Sequence, residues 1–377
     1  MVHPVHSNFS QGQVPTRFTT HCVVIIALSV VFLSPFLLGA VLPPLRGLSR
    51  TDLLEFHGAK GVENARTPKN WEMRRKEVIE GFLGVIGSLP SGARCTLDLK
   101  IESETDCGSY VRRLISYQST GGGRVPAYLC VPKAALGGSP APGVLCLHPT
   151  DNAVGHGVVV GLGGKVNRQY AAELAERGFV TLSPSYPHLA EYKPDLKKLG
   201  FASGTAKAVW DNIRGLDLLE TFPFVRKEVG FATIGHSLGG HNSIFTAVLD
   251  ARLKVVVSSC GFDSFLDYYG GDIKGWVQER YMPGLASFLG KPQDVPFDFY
   301  ELIAALAPRF VFVNAPLADA NFKADSVDRI AAAARPVFGL YQAEERLRVV
   351  HPDSTHDFPN TERFESYRLI EQVLGRP

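Results

Sequence analysis

A serine hydroxyl attacks a carbonyl carbon readily only when a base takes its proton, and one segment of this chain is built to expose such a serine. Gly235-His236-Ser237-Leu238-Gly239-Gly240 follows the apolar run Val229 to Ile234 and precedes a helical segment that includes Ala247 and Val248. A G-x-S-x-G pattern between a strand and a helix puts the serine on a sharp turn, and glycines let strand and helix close without a Cβ between them. Ser237 is therefore the candidate nucleophile, lifted above the sheet edge. The same turn aims the amide of Leu238, at the positive end of the following helix, toward the point where an oxyanion forms.

The base and the group that orients it must come from elsewhere in the chain. Asp319 ends the loop Asn314 to Asp319, which follows the apolar strand Phe310 to Val313, and it is the expected acid. Asp263, just after the preceding strand, is its rival, while Asp325 and Asp328 fall on the next helix as a solvated face. The strand Arg346 to Val350 runs into two histidines. His356 lies far enough into the loop to swing toward Ser237 and is the expected base, whereas His351 at the strand end is structural. His236 and His241 flank the nucleophile but point along the strand and helix. A second oxyanion donor belongs in the loop His148-Pro149-Thr150-Asp151. Pro149 has no N–H, which leaves Thr150 as the candidate, with His148 as a side chain that could orient the loop.

The elements that must position these residues follow from periodicity. Pro68 to Leu89 reads as a helix with Trp71, Val78, Ile79, Phe82, Leu83 and Ile86 along one face. Tyr110 to Tyr117 and Val125 to Val131 read as strands joined through Gly121, Gly122 and Gly123 by a longer hairpin loop. From Gly143 onward strands and helices alternate: Val144 to Leu147, Tyr170 to Arg177, Phe179 to Leu182, Ala206 to Leu219, the elbow, Lys254 to Ser258, Phe310 to Val313, Arg346 to Val350, and a last helix from Glu362 to Leu374. Such alternation predicts an α/β fold, a mostly parallel sheet with helices on both faces and its site at the carboxyl ends of the strands. About fifty residues separate the strands ending at Ser258 and starting at Phe310, more than a crossover needs. The aromatics Phe262, Phe265, Tyr268, Tyr269, Trp276, Tyr281, Phe288 and Tyr300 mark 262–300 as a cap, with Tyr186 and Trp210 as further pocket candidates.

Composition excludes several classes. With 39 Lys plus Arg against 37 Asp plus Glu, and no basic run, nothing marks a nucleic-acid partner. The 37 Gly and 25 Pro follow no period, which excludes collagen-like and solenoid architectures. Gly161-Leu162-Gly163-Gly164-Lys165-Val166 imitates a phosphate loop, but Val159 and Val166 stand where glycine and Ser or Thr are required, so it reads as a flexible rim above the site. No cofactor is implied. The 6 cysteines show no CxxC spacing and no histidine cluster, so no metal is expected; Cys130, Cys146 and Cys260 read as small hydrophobes, and Cys95 with Cys107 could close a short disulfide.

From Phe18 to Leu45 there is no Asp, Glu, Lys or Arg, and Cys22 to Leu42 is almost wholly apolar. About 21 residues suffice for a spanning helix and exceed an ordinary signal-peptide core, so residues 1–45 are expected to be either a cleaved export signal or an anchor held in the membrane by 22–42. An exported or membrane-anchored location follows. An accessory helical segment, 46–92, and a catalytic domain, 93–377, complete the expected organisation.

The stretches Pro142 to Pro149, Tyr170 to Pro187, Gly235 to Gly240, Ala307 to Asp319 and His356 to Phe358 together make the chain resemble an α/β-hydrolase. Within that superfamily it is similar to the dienelactone hydrolase and acetyl xylan esterase-like group, and to the catalytic domain of prolyl oligopeptidases. The resemblance implies a triad of Ser237, Asp319 and His356 acting on a carboxylic ester, with a small-molecule or carbohydrate ester as partner. Dienelactone hydrolases proper carry cysteine at the elbow, where this chain has Ser237, and the segment before the sheet is too short for the propeller of a prolyl oligopeptidase. A peptidase using the same three residues, and an exported binding module that keeps the fold without turnover, remain as alternatives.

Overall fold

The computed structural model describes residues 48–376. The apolar segment 22–42, and with it the expected signal or anchor, lies outside the described residues. Among the described residues no helix is long and apolar enough to cross a membrane.

The chain opens with a short hairpin, β1 (Glu55–Gly58) and β2 (Gly61–Asn64), and the helix α1 (Pro68–Ile86). The segment 46–92 is therefore not purely helical: four-residue strands are too short to show a periodicity of their own. Thr67 caps α1 by accepting from the Asn70 amide, and Pro68 starts it where a missing N–H costs nothing. Its apolar face, Trp71, Val78, Phe82, Val85 and Ile86, enters the main core.

Three antiparallel strands follow, β3 (Lys100–Asp106), β4 (Tyr110–Thr120) and β5 (Gly123–Pro132), then the short helix α2 (Lys133–Leu136). Thr120 pairs with Gly123, so the β4–β5 connection is a two-residue turn at Gly121-Gly122 rather than the longer loop expected from three glycines. Gly122 adopts φ +80°, a left-handed backbone state that glycine takes without strain. The edge strand β3 lay outside the sequence expectation because its residues are all exposed; Lys100, Glu102, Glu104 and Asp106 blunt the edge against further pairing.

The alternating half consists of β6 (Gly143–Leu147), α3 (Tyr170–Glu176), β7 (Val180–Pro184), α4 (Gly204–Thr221), β8 (Phe231–His236), α5 (Leu238–Leu249), β9 (Leu253–Ser259), α6 (Phe299–Ala304), β10 (Phe310–Asn314), α7 (Ala324–Leu340), β11 (Leu347–Val350) and α8 (Asn360–Leu374). The 9-stranded sheet runs β11-β10-β9-β8-β6-β7-β5-β4-β3. Its six strands from β11 to β7 are parallel, and β7 meets β5 antiparallel. Side-chain alternation divides two cores. Val144 and Cys146 of β6 pack with Tyr170 and Leu174 of α3 and with Tyr367 and Ile370 of α8. Leu145 and Leu147 pack with the face built from α1, α4, α5, α6 and α7.

Cys95 and Cys107 are both free, so the short disulfide is absent; the Cys95 thiol turns toward the Gln118 carbonyl and the Cys107 thiol toward that of Thr105. Cys130 and Cys146 are buried as small hydrophobes, and burial pushes the Cys130 thiol up to about 12.

Candidate active site

The turn between β8 and α5 holds Ser237 at φ 54°, ψ −119°, a conformation that a residue with a side chain rarely adopts. Its amide donates to the Ser259 carbonyl at 2.8 Å, and the amide of Gly240 donates to the Ser237 carbonyl at 2.8 Å, which pins the strained residue from both sides. The glycines are steric necessities here. A Cβ on Gly235 would lie 2.1 Å from the Gly239 carbonyl oxygen, and one on Gly239 would lie 2.0 Å from that of Leu147. Leu238 opens α5, and its first-turn amide belongs to those a helix leaves without an internal acceptor.

Asp319 and His356 come together from loops after β10 and β11. Both carboxylate oxygens of Asp319 face His356 Nδ1, at 3.0 and 2.9 Å. The two loops are fastened to each other by backbone bonds: Ala315 N donates to Val350 O, Leu317 N to Pro352 O and Ala318 N to Ser354 O. The Asp319 side chain is 1% exposed and that of His356 27%. Burial alone would raise the Asp319 carboxyl, but the hydrogen bond and charge of His356, with the amides of Asn321 and Phe322, hold it below the usual carboxylate range. An ionised Asp319 fixes the Nδ1–H tautomer and leaves Nε2 as the basic nitrogen.

The rival groups are engaged elsewhere. Asp263 accepts from the Lys323 amide at 3.2 Å and bonds to no histidine. His351 spans the Ala315 carbonyl and the Asp328 carboxylate, tying the end of β11 to α7. His236 meets the Ser259 hydroxyl and His241 the Gly261 carbonyl, both buried. Burial keeps His241 down at about 4, hence neutral. Asp325 pairs with Arg329 on the outer face of α7.

Among curated proteins, "Putative hydrolase YtaP" of Bacillus subtilis (strain 168) is 26% identical over 318 residues, covering 80% of this chain and 99% of that protein. A solved glucuronoyl esterase from Solibacter usitatus superposes with a TM-score of 0.69 at 19% identity, covering 87% of this chain and 98% of that one. An acetyl xylan esterase from Paenibacillus sp. R4 gives a TM-score of 0.52 at 16% identity, with 74% and 90% covered. No protein-family model matches the chain. The chain has the α/β-hydrolase fold. Ser237, Asp319 and His356 all lie beyond the carboxyl ends of parallel strands, where open α/β sheets bind their ligands.

In this α/β-hydrolase fold Ser237 borders two cavities. One, of about 120 Å3, is lined by Ser237 and His356 together with Thr150, Asp151, Lys165 and Arg168. The other, of about 80 Å3, is lined by Ser237, Leu238, Thr150, Trp276, Tyr281 and Phe322 among others. The Ser237 hydroxyl carries no hydrogen bond to a described residue. Thr150 borders both cavities, and its hydroxyl lies 3.2 Å from that of Tyr281. His148 anchors the same loop, its Nε2 accepting from the Tyr186 amide at 2.9 Å.

The segment 262–300 divides in its roles. Tyr268, Trp276 and Tyr281, on short 3-10 turns and their connections, line the smaller cavity. Phe262, Phe265 and Tyr300 belong to the core. Tyr186 and Trp210 line neither cavity beside Ser237: the first is buried with its hydroxyl on the Arg280 carbonyl, the second donates to the Ser119 carbonyl. Their distance along the chain from the site left packing and lining indistinguishable in sequence. The glycine-rich segment 161–166 contributes Lys165 to the larger cavity.

Two contributions escaped the sequence. Arg168 donates to Asp357 Oδ1 at 2.5 Å and to the His356 carbonyl at 3.2 Å, clamping the histidine loop to the start of α3. The partners stand 189 residues apart, and no local pattern signals such a pair. Cys260, read as a plain hydrophobe, has a ligand-capable atom within 4.8 Å of those of Asp319 and His356. The absence of a cysteine–histidine motif in sequence therefore did not exclude a grouping made by the fold.

Proposed function

We propose that the chain is a serine hydrolase of carboxylic esters, with Ser237 as nucleophile, His356 as base and Asp319 as orienting acid. The observation that carries this reading is that His356, bonded through Nδ1 to the Asp319 carboxylate, borders the same cavity as the strained Ser237. His356 Nε2 takes the Ser237 proton as Oγ adds to the ester carbonyl, and the imidazolium is stabilised by the Asp319 carboxylate. The developing oxyanion is met by the Leu238 amide and by an amide of the Thr150 loop. His356 then protonates the leaving alcohol, and a water activated by the same nitrogen releases the acid.

A carbohydrate ester is the favoured substrate class. The solved relatives named above act on glucuronoyl and acetyl xylan esters, and the Trp276 and Tyr281 side chains border a cavity where a sugar face could stack.

Labelling with a fluorophosphonate and hydrolysis of a chromogenic acetyl ester test the mechanism. Both are expected in the parent chain, and Ser237→Ala is expected to abolish both while leaving the circular dichroism spectrum unchanged. Equal labelling of the variant would remove Ser237 from the mechanism, and a folded parent that takes no label would favour a binding module. A panel of acetylated sugars, short acyl esters, uronate esters and peptide amides then assigns the substrate class.

A further inference from the structure

Cys260 follows β9 at φ 47°, a left-handed conformation uncommon for a residue with a Cβ. One ligand atom from each of Cys260, Asp319 and His356 lies within a 4.8 Å grouping. Burial and the neighbouring Asp319 carboxylate push the thiol well above its ordinary range, so it gives up its proton only to a cation that replaces it. The Ser259 hydroxyl and the Asn314 carboxamide each donate toward Sγ at 3.8 Å, while Sγ itself donates to the Asp357 carbonyl at 3.2 Å. A thiolate, an imidazole nitrogen and a carboxylate make a donor set suited to zinc and poorly suited to magnesium or calcium. Donors to the sulfur are the kind of outer support that metal sites use.

We propose that Cys260, Asp319 and His356 form an inhibitory site for a soft divalent cation, with Zn2+ as the cation of choice. The cation takes Cys260 Sγ, one Asp319 oxygen and His356 Nδ1, with water in a fourth position. His356, which borders the larger cavity, offers the route of entry. The thiol proton leaves to solvent, the Nδ1 proton is lost and Nε2 takes one up, so one proton is released per cation and nothing is oxidised or reduced. With Nε2 protonated, the imidazole cannot accept the Ser237 proton. The inhibition rests on the proposed triad, whereas binding of the cation does not.

The test uses the full-length protein. Zn2+ is expected to suppress ester hydrolysis reversibly, with recovery on adding a chelator, and Mg2+ or Ca2+ at equal concentration to have no effect. Cys260→Gly suits the left-handed backbone and is expected to hydrolyse the ester like the parent without added metal. It should require about tenfold more Zn2+, or beyond, for half-inhibition. Cys260→Ser serves as a second variant should the glycine loosen the loop. Independently of activity, Co2+ added to Ser237→Ala should give a thiolate-to-metal charge-transfer band that the Ser237→Ala, Cys260→Gly double variant lacks. Equal Zn2+ inhibition of parent and Cys260 variants, or a Co2+ complex without the thiolate band, overturns the proposal. Should the parent hydrolyse no ester at all, the band still decides whether the site binds metal.

Discussion

Asp319 and Asp263 are both withdrawn from solvent, yet their partners give them opposite chemistry. Asp319 faces an imidazole N–H and two amides, so it stays ionised. Replacing it with Asn keeps the shape but removes the charge and admits the wrong imidazole tautomer. Asp319→Asn is expected to lower kcat for the acetyl ester by about three to four orders of magnitude, measured against the parent at pH 7. Asp263 instead has Oδ1 buried without a partner. Burial, partly offset by the Lys323 amide and reinforced by Asp267 and Asp298, pushes it up to about 7. In the unfolded chain a carboxyl titrates near about 4. Between those values the folded protein holds a proton that the unfolded chain has released, so stability falls as pH rises through that window. Asp263→Asn removes the slope: its melting temperature should match the parent near pH 4 and exceed it by a few degrees at pH 8.

At the level of elements, the elbow was legible because its steric demands are local. Gly235, Ser237 and Gly239 sit within one turn, and the strand before and helix after announce themselves by apolar content. That the loops carrying Asp319 and His356 meet was legible for a related reason: each follows a short apolar strand, and β10 and β11 are neighbours in the sheet. What stayed hidden is long-range. The Arg168–Asp357 clamp, the place of Cys260 beside the Asp319–His356 pair and the division of the 262–300 aromatics between core and cavity all depend on which loops meet, which no periodicity encodes. The charged edge strand β3 escaped because it buries no face. The elbow also yields a sharp expectation. Gly239→Ala would drive a methyl against the Leu147 carbonyl, the last residue before the loop of Thr150, and backbone cannot yield as a side chain does. The variant is expected to lose fluorophosphonate labelling and about 2 kcal/mol or more of stability in denaturant unfolding.

The whole body of 48–376 is held at its start by one buried cation. Arg74 of α1 is 0% exposed and donates to the carbonyls of Asp52, Glu55 and Ser49, and Glu301 of α6 stands 3.9 Å away. Burial lowers the Arg74 pKa, opposed by Glu301, Glu55 and Asp52, so the guanidinium is a group that the core tolerates only through its acceptors. The segment ahead of α1 therefore completes the core that carries the site, and Leu53 and Phe56 add buried apolar surface to it. Two truncations separate the consequences. A chain begun at residue 48 keeps every acceptor of Arg74 and every residue of the proposed site, and is expected to match the full-length protein in kcat/KM. A chain begun at residue 66 loses the three carbonyls and the buried side chains of Leu53 and Phe56, a loss of about 3–5 kcal/mol at roughly 1.5–3 kcal/mol per buried apolar side chain. Its melting temperature should fall by several degrees or more. Equal melting temperatures for the two truncations would show instead that α1 needs no such closure.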